Sequence, residues 1–247
     1  MEYVIRADCF NEIAKYLEVR DILNVEQVFP PSKISNRNLK SYVKKLKIYE
    51  FPSNVSFSRT INKFVNLEEL KLEFTPRKAY LYLLKLKILY APYPLKGNLP
   101  SLERAVFKSS MFSFEQYPYL QHVKHYGNHG IPNANLLSIE TGVSYLSYDL
   151  PNLRKLTLHF NDKNYDKLLL FTFWENLDYL AIISDKHIIN GSILNCILKR
   201  VNPRYLKISL RGQYKIMSLN HLTRLESLDC KYVDIDIDAI SELKLKY

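Results

Sequence analysis

From residue 43 onward the aliphatic residues recur in a six-residue pattern, L-x-x-L-x-L, with conservative replacements. It opens as Val43-x-x-Leu46-x-Ile48, Leu67-x-x-Leu70-x-Leu72 and Leu86-x-x-Leu89-x-Ala91. It continues as Leu102-x-x-Ala105-x-Phe107, Leu120-x-x-Val123-x-His125, Leu153-x-x-Leu156-x-Leu158 and Leu177-x-x-Leu180-x-Ile182. The last copies are Pro203-x-x-Leu206-x-Ile208, Leu225-x-x-Leu228-x-Cys230 and Ile240-x-x-Leu243-x-Leu245. One further copy has two candidate registers, Leu136-x-x-Ile139 or Val143-x-x-Leu146-x-Tyr148. Several copies share a lead-in with Pro or Asn, as in Val65-Asn66-Leu67, Pro100-Ser101-Leu102, Pro118-Tyr119-Leu120 and Pro151-Asn152-Leu153.

A short strand fits the middle of this unit. Side chains alternate along a strand, so the fourth and sixth positions point inward and the third and fifth outward. Units of this kind cannot bury their apolar face alone, and stacking them builds a continuous core. The expectation is an α/β solenoid with a parallel sheet on its concave face and returning segments behind. Consecutive fourth positions lie roughly 15 to 26 residues apart, against about 20–29 in leucine-rich repeats. The shortest units hold a strand and an extended return; the longer ones, around Tyr165–Trp174 and Ile188–Arg200, have room for a helix. Residues 41–247 thus resemble a divergent leucine-rich-repeat array, without a regular Asn ladder.

Residues 1–40 follow a different period. Phe10, Ile13, Ala14 and Leu17 fall on one face of a helix, with Asp8 as its N-cap. A second helix is predicted from Asp21 through Ile22, Leu23, Val25 and Val28, stopped by Pro30-Pro31, and a third from Ser35 to Tyr42. The run from Glu12 to Val28 has an "E-I-x-x-Y-L" helix followed by a "D-L-L-x-x-x-x-V" helix, with Ile22 as the first aliphatic of the second. In this it resembles an F-box, with Asp8-Cys9-Phe10 in place of the usual Leu-Pro opening. The resemblance implies a substrate-recognition subunit of a Skp–cullin–F-box ubiquitin ligase. Ile13, Tyr16, Leu17, Ile22, Leu23 and Val25 would supply the apolar contact with a Skp-family adaptor and, through it, a cullin. The repeats would hold a protein substrate, and the chemistry would belong to other subunits. The alternative is that these helices only cap the first strand of the solenoid, in a protein-interaction scaffold with no ligase connection.

Strand geometry also names the outward residues. Lys45, Lys47, Lys71, Tyr90, Arg104, His122, Lys124 and Lys155 form a candidate substrate-binding stripe, basic with tyrosine among it. Toward the C-terminal end the face turns acidic, with Asp229 and, nearby, Asp234, Asp236 and Asp238. Such a stripe suits an acidic or phosphorylated segment, with Arg104 able to grip an oxyanion bidentately. The whole chain of 247 residues carries 35 Lys and Arg against 25 Asp and Glu, a formal charge of +10. A basic balance favours acidic partners, nucleic acid among them. Against nucleic acid, no zinc finger, helix-turn-helix or RNP motif accompanies the charge, which is dispersed along the chain.

Little else suggests chemistry. Phosphate-cradling glycine motifs are absent from a chain with only six Gly, so no nucleotide cofactor is expected. Cys9, Cys196 and Cys230 lack the spacing of a disulfide framework or zinc site. His122, His125 and His129 are metal-ligand types, but on a strand His122 and His125 face opposite ways. No paired carboxylates stand out for acid–base work, and the chain reads as a non-enzyme with neither metal nor cofactor. With no apolar stretch near the length of a bilayer span and no basic-then-apolar leader, the expected location is intracellular, cytoplasmic or nuclear, with no membrane partner.

Overall fold

The computed structural model describes residues 43–51, 56–76, 79–108, 117–125, 135–142, 150–160, 173–184, 189–210, 215–216, 219–231 and 233–235. The F-box-like segment, the boundary expected near residue 40, the Val143–Tyr148 register and the last repeat at Ile240–Leu245 lie outside these residues. The described chain forms two compact units, one of residues up to 108 with 117–120, the other from 121 onward.

Numbered along the chain, the first unit holds β1 (Lys45–Ile48), α1 (Phe57–Ile61), β2 (Glu69–Leu72), β3 (Tyr80–Tyr82), β4 (Ile88–Ala91), β5 (Lys96–Asn98) and β6 (Arg104–Phe107). Strands β1, β2, β4 and β6 lie side by side, all parallel, each starting at the third position of its repeat. The second unit holds β7 (His122–His125), β8 (Ser138–Gly142), β9 (Lys155–His159), β10 (Tyr179–Ser184), α2 (Gly191–Leu198), β11 (Tyr205–Leu210), β12 (Lys215–Ile216), β13 (Ser227–Lys231) and β14 (Asp234–Ile235). There β7, β8, β9, β10, β11 and β13 form a parallel sheet in that order. The strand at Ser138–Gly142 selects the Leu136-x-x-Ile139 register for the ambiguous copy.

Register follows from the core. Pairing runs repeat on repeat, Leu46 with Leu70 and Ile139 with Leu156, so equivalent positions stack in rows. A slip by one residue would turn a whole row of leucines to solvent. First, fourth and sixth positions are buried from Val43 through Ile208. Fully burying each such aliphatic side chain is worth about 1.5–3 kcal/mol. His125 and Thr141 take sixth positions and are equally enclosed. At β13, Leu228 and Cys230 keep the inward positions but are only half-buried. Burial pushes the Cys230 thiol up to about 11, so it stays protonated at neutral pH and packs as a small apolar group.

The Pro and Asn lead-ins become tight turns. The N–H of Leu67 donates to the Phe64 carbonyl, Leu102 to Leu99, Leu120 to Tyr117 and Leu153 to Leu150, each across three residues. Proline at the second place of such a turn has its φ already set and loses no needed donor. Both ends of every one of these turns are buried, so each turn clamps a return segment to the strand that follows.

The returns differ from an extended chain. In the first unit β3 and β5 pair in parallel as a second, smaller sheet. Gly97 of β5 has φ +156°, and a Cβ there would stand 2.1 Å from the Leu81 carbonyl oxygen, so only glycine lets the two backbones meet. Helix α1 is started by Ser56, whose Oγ accepts from the Arg59 N–H. It then seals the other edge of β3: Ser58 Oγ accepts from the Tyr80 N–H at 2.8 Å, and Asn62 Oδ1 accepts from the Tyr82 N–H at 2.8 Å. In the second unit α2 lies within Ile188–Arg200, as its length allowed, capped by Asn190 and burying Leu194, Ile197 and Leu198. Trp174 is buried in a 3₁₀ turn over Phe173–Asn176.

Candidate functional site

The outward face of each sheet carries the residues expected to bind a partner. In the first unit, register sets Lys47 beside Lys71 and Lys71 beside Tyr90, while Arg104 lies beside Ile88. In the second, His122 and Lys155 flank Ser138, and Lys124 adjoins Glu140. His122 is exposed and His125 buried, so these two do not converge on one ligand. Among the described residues no group of three His, Cys, Asp or Glu is placed to hold a metal ion.

The continuous basic stripe needs correction, because Lys45 and Lys124 are neutralised by the next strand and Lys71 by a glutamate two residues on in its own chain. Lys45 Nζ stands 2.9 Å from Glu69, Lys71 3.1 Å from Glu73, and Lys124 2.6 Å from Glu140. Glu140 Oε1 also meets His159 Nε2 at 3.1 Å. One position before the strands the same rule holds, with Lys44 3.0 Å from Glu68 and Arg204 2.7 Å from Glu226. The acidic end is corrected likewise, since Asp229 pairs with Lys207 and Asp178 with Arg224. The side chain of Asp234 and residues 236 and 238 lie outside the described residues. For the pairs of Lys44, Lys45, Lys124, Arg204 and Lys207 the physical reason is the in-register parallel ladder, which places like positions about 5 Å apart, where opposite charges attract.

The pairs leave an electrostatic trace. A hydrogen bond from Lys44 and its charge hold the Glu68 carboxyl below its ordinary value, as Lys71 does for Glu73 and Lys207 for Asp229. Glu69 and Asp229 raise Lys45 and Lys207 in turn. All are exposed or half-exposed, so solvent and salt screen them and each contributes little to stability.

What the pairs leave over are two uncharged windows, one in each sheet. In the first unit half-buried Ile88, Tyr90 and Val106 adjoin one another, bounded by the Lys45–Glu69 and Lys71–Glu73–Lys108 groups. Arg104 lies at the rim and has no ion pair among the described residues. In the second unit the window is half-buried Thr157, Tyr179 and Ile183, with Ala181 at its floor. Ala181 was expected to project outward, but it is fully enclosed, a short side chain in register between Thr157 and Lys207. The Lys155 ammonium lies 4.6 Å over the Tyr179 ring and likewise has no ion pair among the described residues. Lys47 sits 4.3 Å over the ring of Tyr49, whose hydrogen bond raises its pKa.

Sequence reasoning missed Glu140, because the two registers of that repeat were left open and no outward residue was assigned to it. It gave Glu69 no role, although the aligned third positions Lys45 and Glu69 carry the signal. It placed Ile88 and Val106 outward but gave these two apolar residues no part in binding.

No protein-family model matches this chain, and no curated protein matches it. Among solved structures the chain is similar to an internalin (inlF) from Listeria monocytogenes, with 18% identity and a TM-score of 0.50. The match covers 92% of this chain and 72% of the internalin, which is a leucine-rich-repeat protein. At that identity the likeness is one of fold, and together with the mostly parallel sheets, the few helices and the stacked L-x-x-L-x-L rows it makes this a leucine-rich-repeat-type architecture.

Proposed function

We propose that the chain is a protein-interaction scaffold that binds through the outward faces of its sheets and catalyses nothing itself. The observation that carries this reading is the pair of uncharged windows. Each is a patch of apolar and aromatic side chains on a rigid sheet, ringed by ion pairs and edged by one cation without a carboxylate of its own. That is the anatomy of a binding hot spot, in which central contacts provide affinity and the rim excludes water. Arg104 and Lys155 then select a partner segment that brings a carboxylate or phosphate beside an apolar side chain. A photocrosslinking residue at Val106 or Thr157 should capture the same protein from cells, while one at Lys45 should not. Equal capture from all three positions would remove the windows from the account.

The finer reading, a ligase subunit, rests on the F-box resemblance of residues 1–40 and on their position ahead of a repeat array. It is tested apart from the windows. The full chain should retain a Skp-family adaptor and a cullin, and Leu17→Asp with Ile22→Asp should lose both while crosslinking at Val106 persists. No adaptor on the full chain leaves the scaffold without its ligase connection.

A further inference from the structure

The return layer of the first unit has a different electrostatic character from its sheet. Residues 51–67 contain no Asp or Glu, and neither do residues 74–102. The described parts of these segments hold five cations, of which Lys87 stands just before β4 and the other four, Arg59, Lys63, Lys85 and Lys96, belong to the returns. Arg59, Lys63 and Lys85 form no ion pair among the described residues, and Lys85 Nζ donates instead to Asn66 Oδ1 at 2.7 Å.

Between these cations lies an exposed aromatic surface. Leu81 turns inward and is fully buried, so the alternation of β3 sends Tyr80 and Tyr82 to the same outer side. They are 45% and 57% exposed, with ring centroids 4.9 Å apart at 42°. The edge bonds from Ser58 and Asn62 set α1 along one side of β3, and with it Arg59 and Lys63. The β3–β5 register sets Lys96 beside Tyr80 on the other side. Lys85 follows three residues after Tyr82. Four cations that are dispersed along the chain are thus brought by the fold to the layer that carries two tyrosine rings.

We propose that this face binds single-stranded nucleic acid, its tyrosines stacking on bases and the surrounding cations meeting phosphates. Cations beside exposed ring faces are the two elements that sequence-tolerant single-strand binding requires. A duplex has its bases already stacked and offers nothing to the rings. An acidic peptide would use the cations but does not present a planar ring at every charged unit, as a nucleotide chain does. This surface is separate from the sheet-face windows, so the proposal stands or falls independently of the scaffold reading.

The test is fluorescence anisotropy of a labelled oligouridine with the full chain. Binding should weaken with salt, the logarithm of affinity falling by about 0.7 per phosphate contact for each unit of log salt, or roughly 2–3 in all. Tyr80→Ala with Tyr82→Ala should weaken binding about tenfold or more, whereas Tyr80→Phe with Tyr82→Phe should retain it. Arg59→Glu with Lys63→Glu should weaken binding and flatten the salt slope, and Lys45→Glu on the sheet should do neither. Because all these side chains are exposed, melting temperatures should stay near that of the parent chain. No binding at low salt, binding indifferent to loss of the tyrosine rings, or equal affinity for polyglutamate or anionic vesicles would each overturn the proposal.

Discussion

Lys45 and Lys63 are both exposed lysines of the first unit, and they stand in opposite circumstances. Lys45 sits on a parallel ladder where the residue in register is Glu69, 2.9 Å away. Lys63 lies in a return with no acidic residue in its own segment and no ion pair among the described residues. A ladder imposes a neighbour about 5 Å away at every outward position, so an opposite charge in register is favoured there, and where Lys47 meets Lys71 the second lysine turns to Glu73 instead. A return packs one face inward and leaves the other without such a constraint. Charge on the sheet is therefore largely structural, and charge without a partner is the more informative sign of recognition.

The comparison breaks most visibly at the two backbones' closest approach. Gly97→Ala would drive a Cβ into the Leu81 carbonyl and should cost at least about 2–3 kcal/mol, separating β5 from β3. Leu70→Ala in the sheet core should cost about 2–5 kcal/mol, and urea unfolding measures both. If Gly97→Ala is neutral, the second sheet is not held as described. A smaller effect is expected at the sealed edge of β3. Asn62→Ala removes bonds to the Tyr82 N–H and the Tyr80 carbonyl, at 2.8 and 3.1 Å. Water replaces them in part, so about 1 kcal/mol should be lost, with faster amide exchange at Tyr82.

Charge on the ladder gives the finest distinction. Lys45→Glu should lower the urea midpoint slightly, and adding Glu69→Lys should restore most of the loss. Lys63→Glu should have no such effect on stability, which separates paired from unpaired cations. The pairs also set a weak pH dependence. Glu68, Glu73 and Asp229 have lowered pKa values in the folded chain, so their contribution is present above the ordinary values of 4.5 and 3.8. It is lost as pH falls through the depressed folded values, because the folded state then takes up protons later than the unfolded one. Lys45 and Lys207 are raised, so their contribution is present below 10.5 and lost as pH rises through the folded values. Thermal melts should show a small decline on either side, shallower in high salt.

Much of the fold was legible because it rests on one local rule. Wherever L-x-x-L-x-L was read in the described residues, a strand begins at its third position, and the lead-in prolines take the turn before it. The β3–β5 sheet was not legible. Its strands are three residues each, too short for an alternation to register, and Lys96-Gly97-Asn98 has no apolar residue to mark it. Helix α1 was missed for the same reason, being five residues with Ser56 as its one strong signal. Of the candidate stripe, all eight residues take outward positions, Lys71, Tyr90 and Lys124 half-buried and the others exposed, yet the meaning of its charge was not legible. Partners such as Lys124 and Glu140 are far apart in sequence and meet only through register, which an unassigned repeat conceals.

The central claim, that recognition belongs to the uncharged windows and not to the paired cations, is tested most directly by affinity. Once crosslinking has identified the partner, its purified form should be titrated by calorimetry against Lys45→Glu with Lys124→Glu, and against Arg104→Glu with Lys155→Glu. The account predicts near-parental affinity for the first variant and a loss of at least tenfold for the second, the scale of a hot-spot residue. Equal losses in both, or a loss confined to the first, would contradict it.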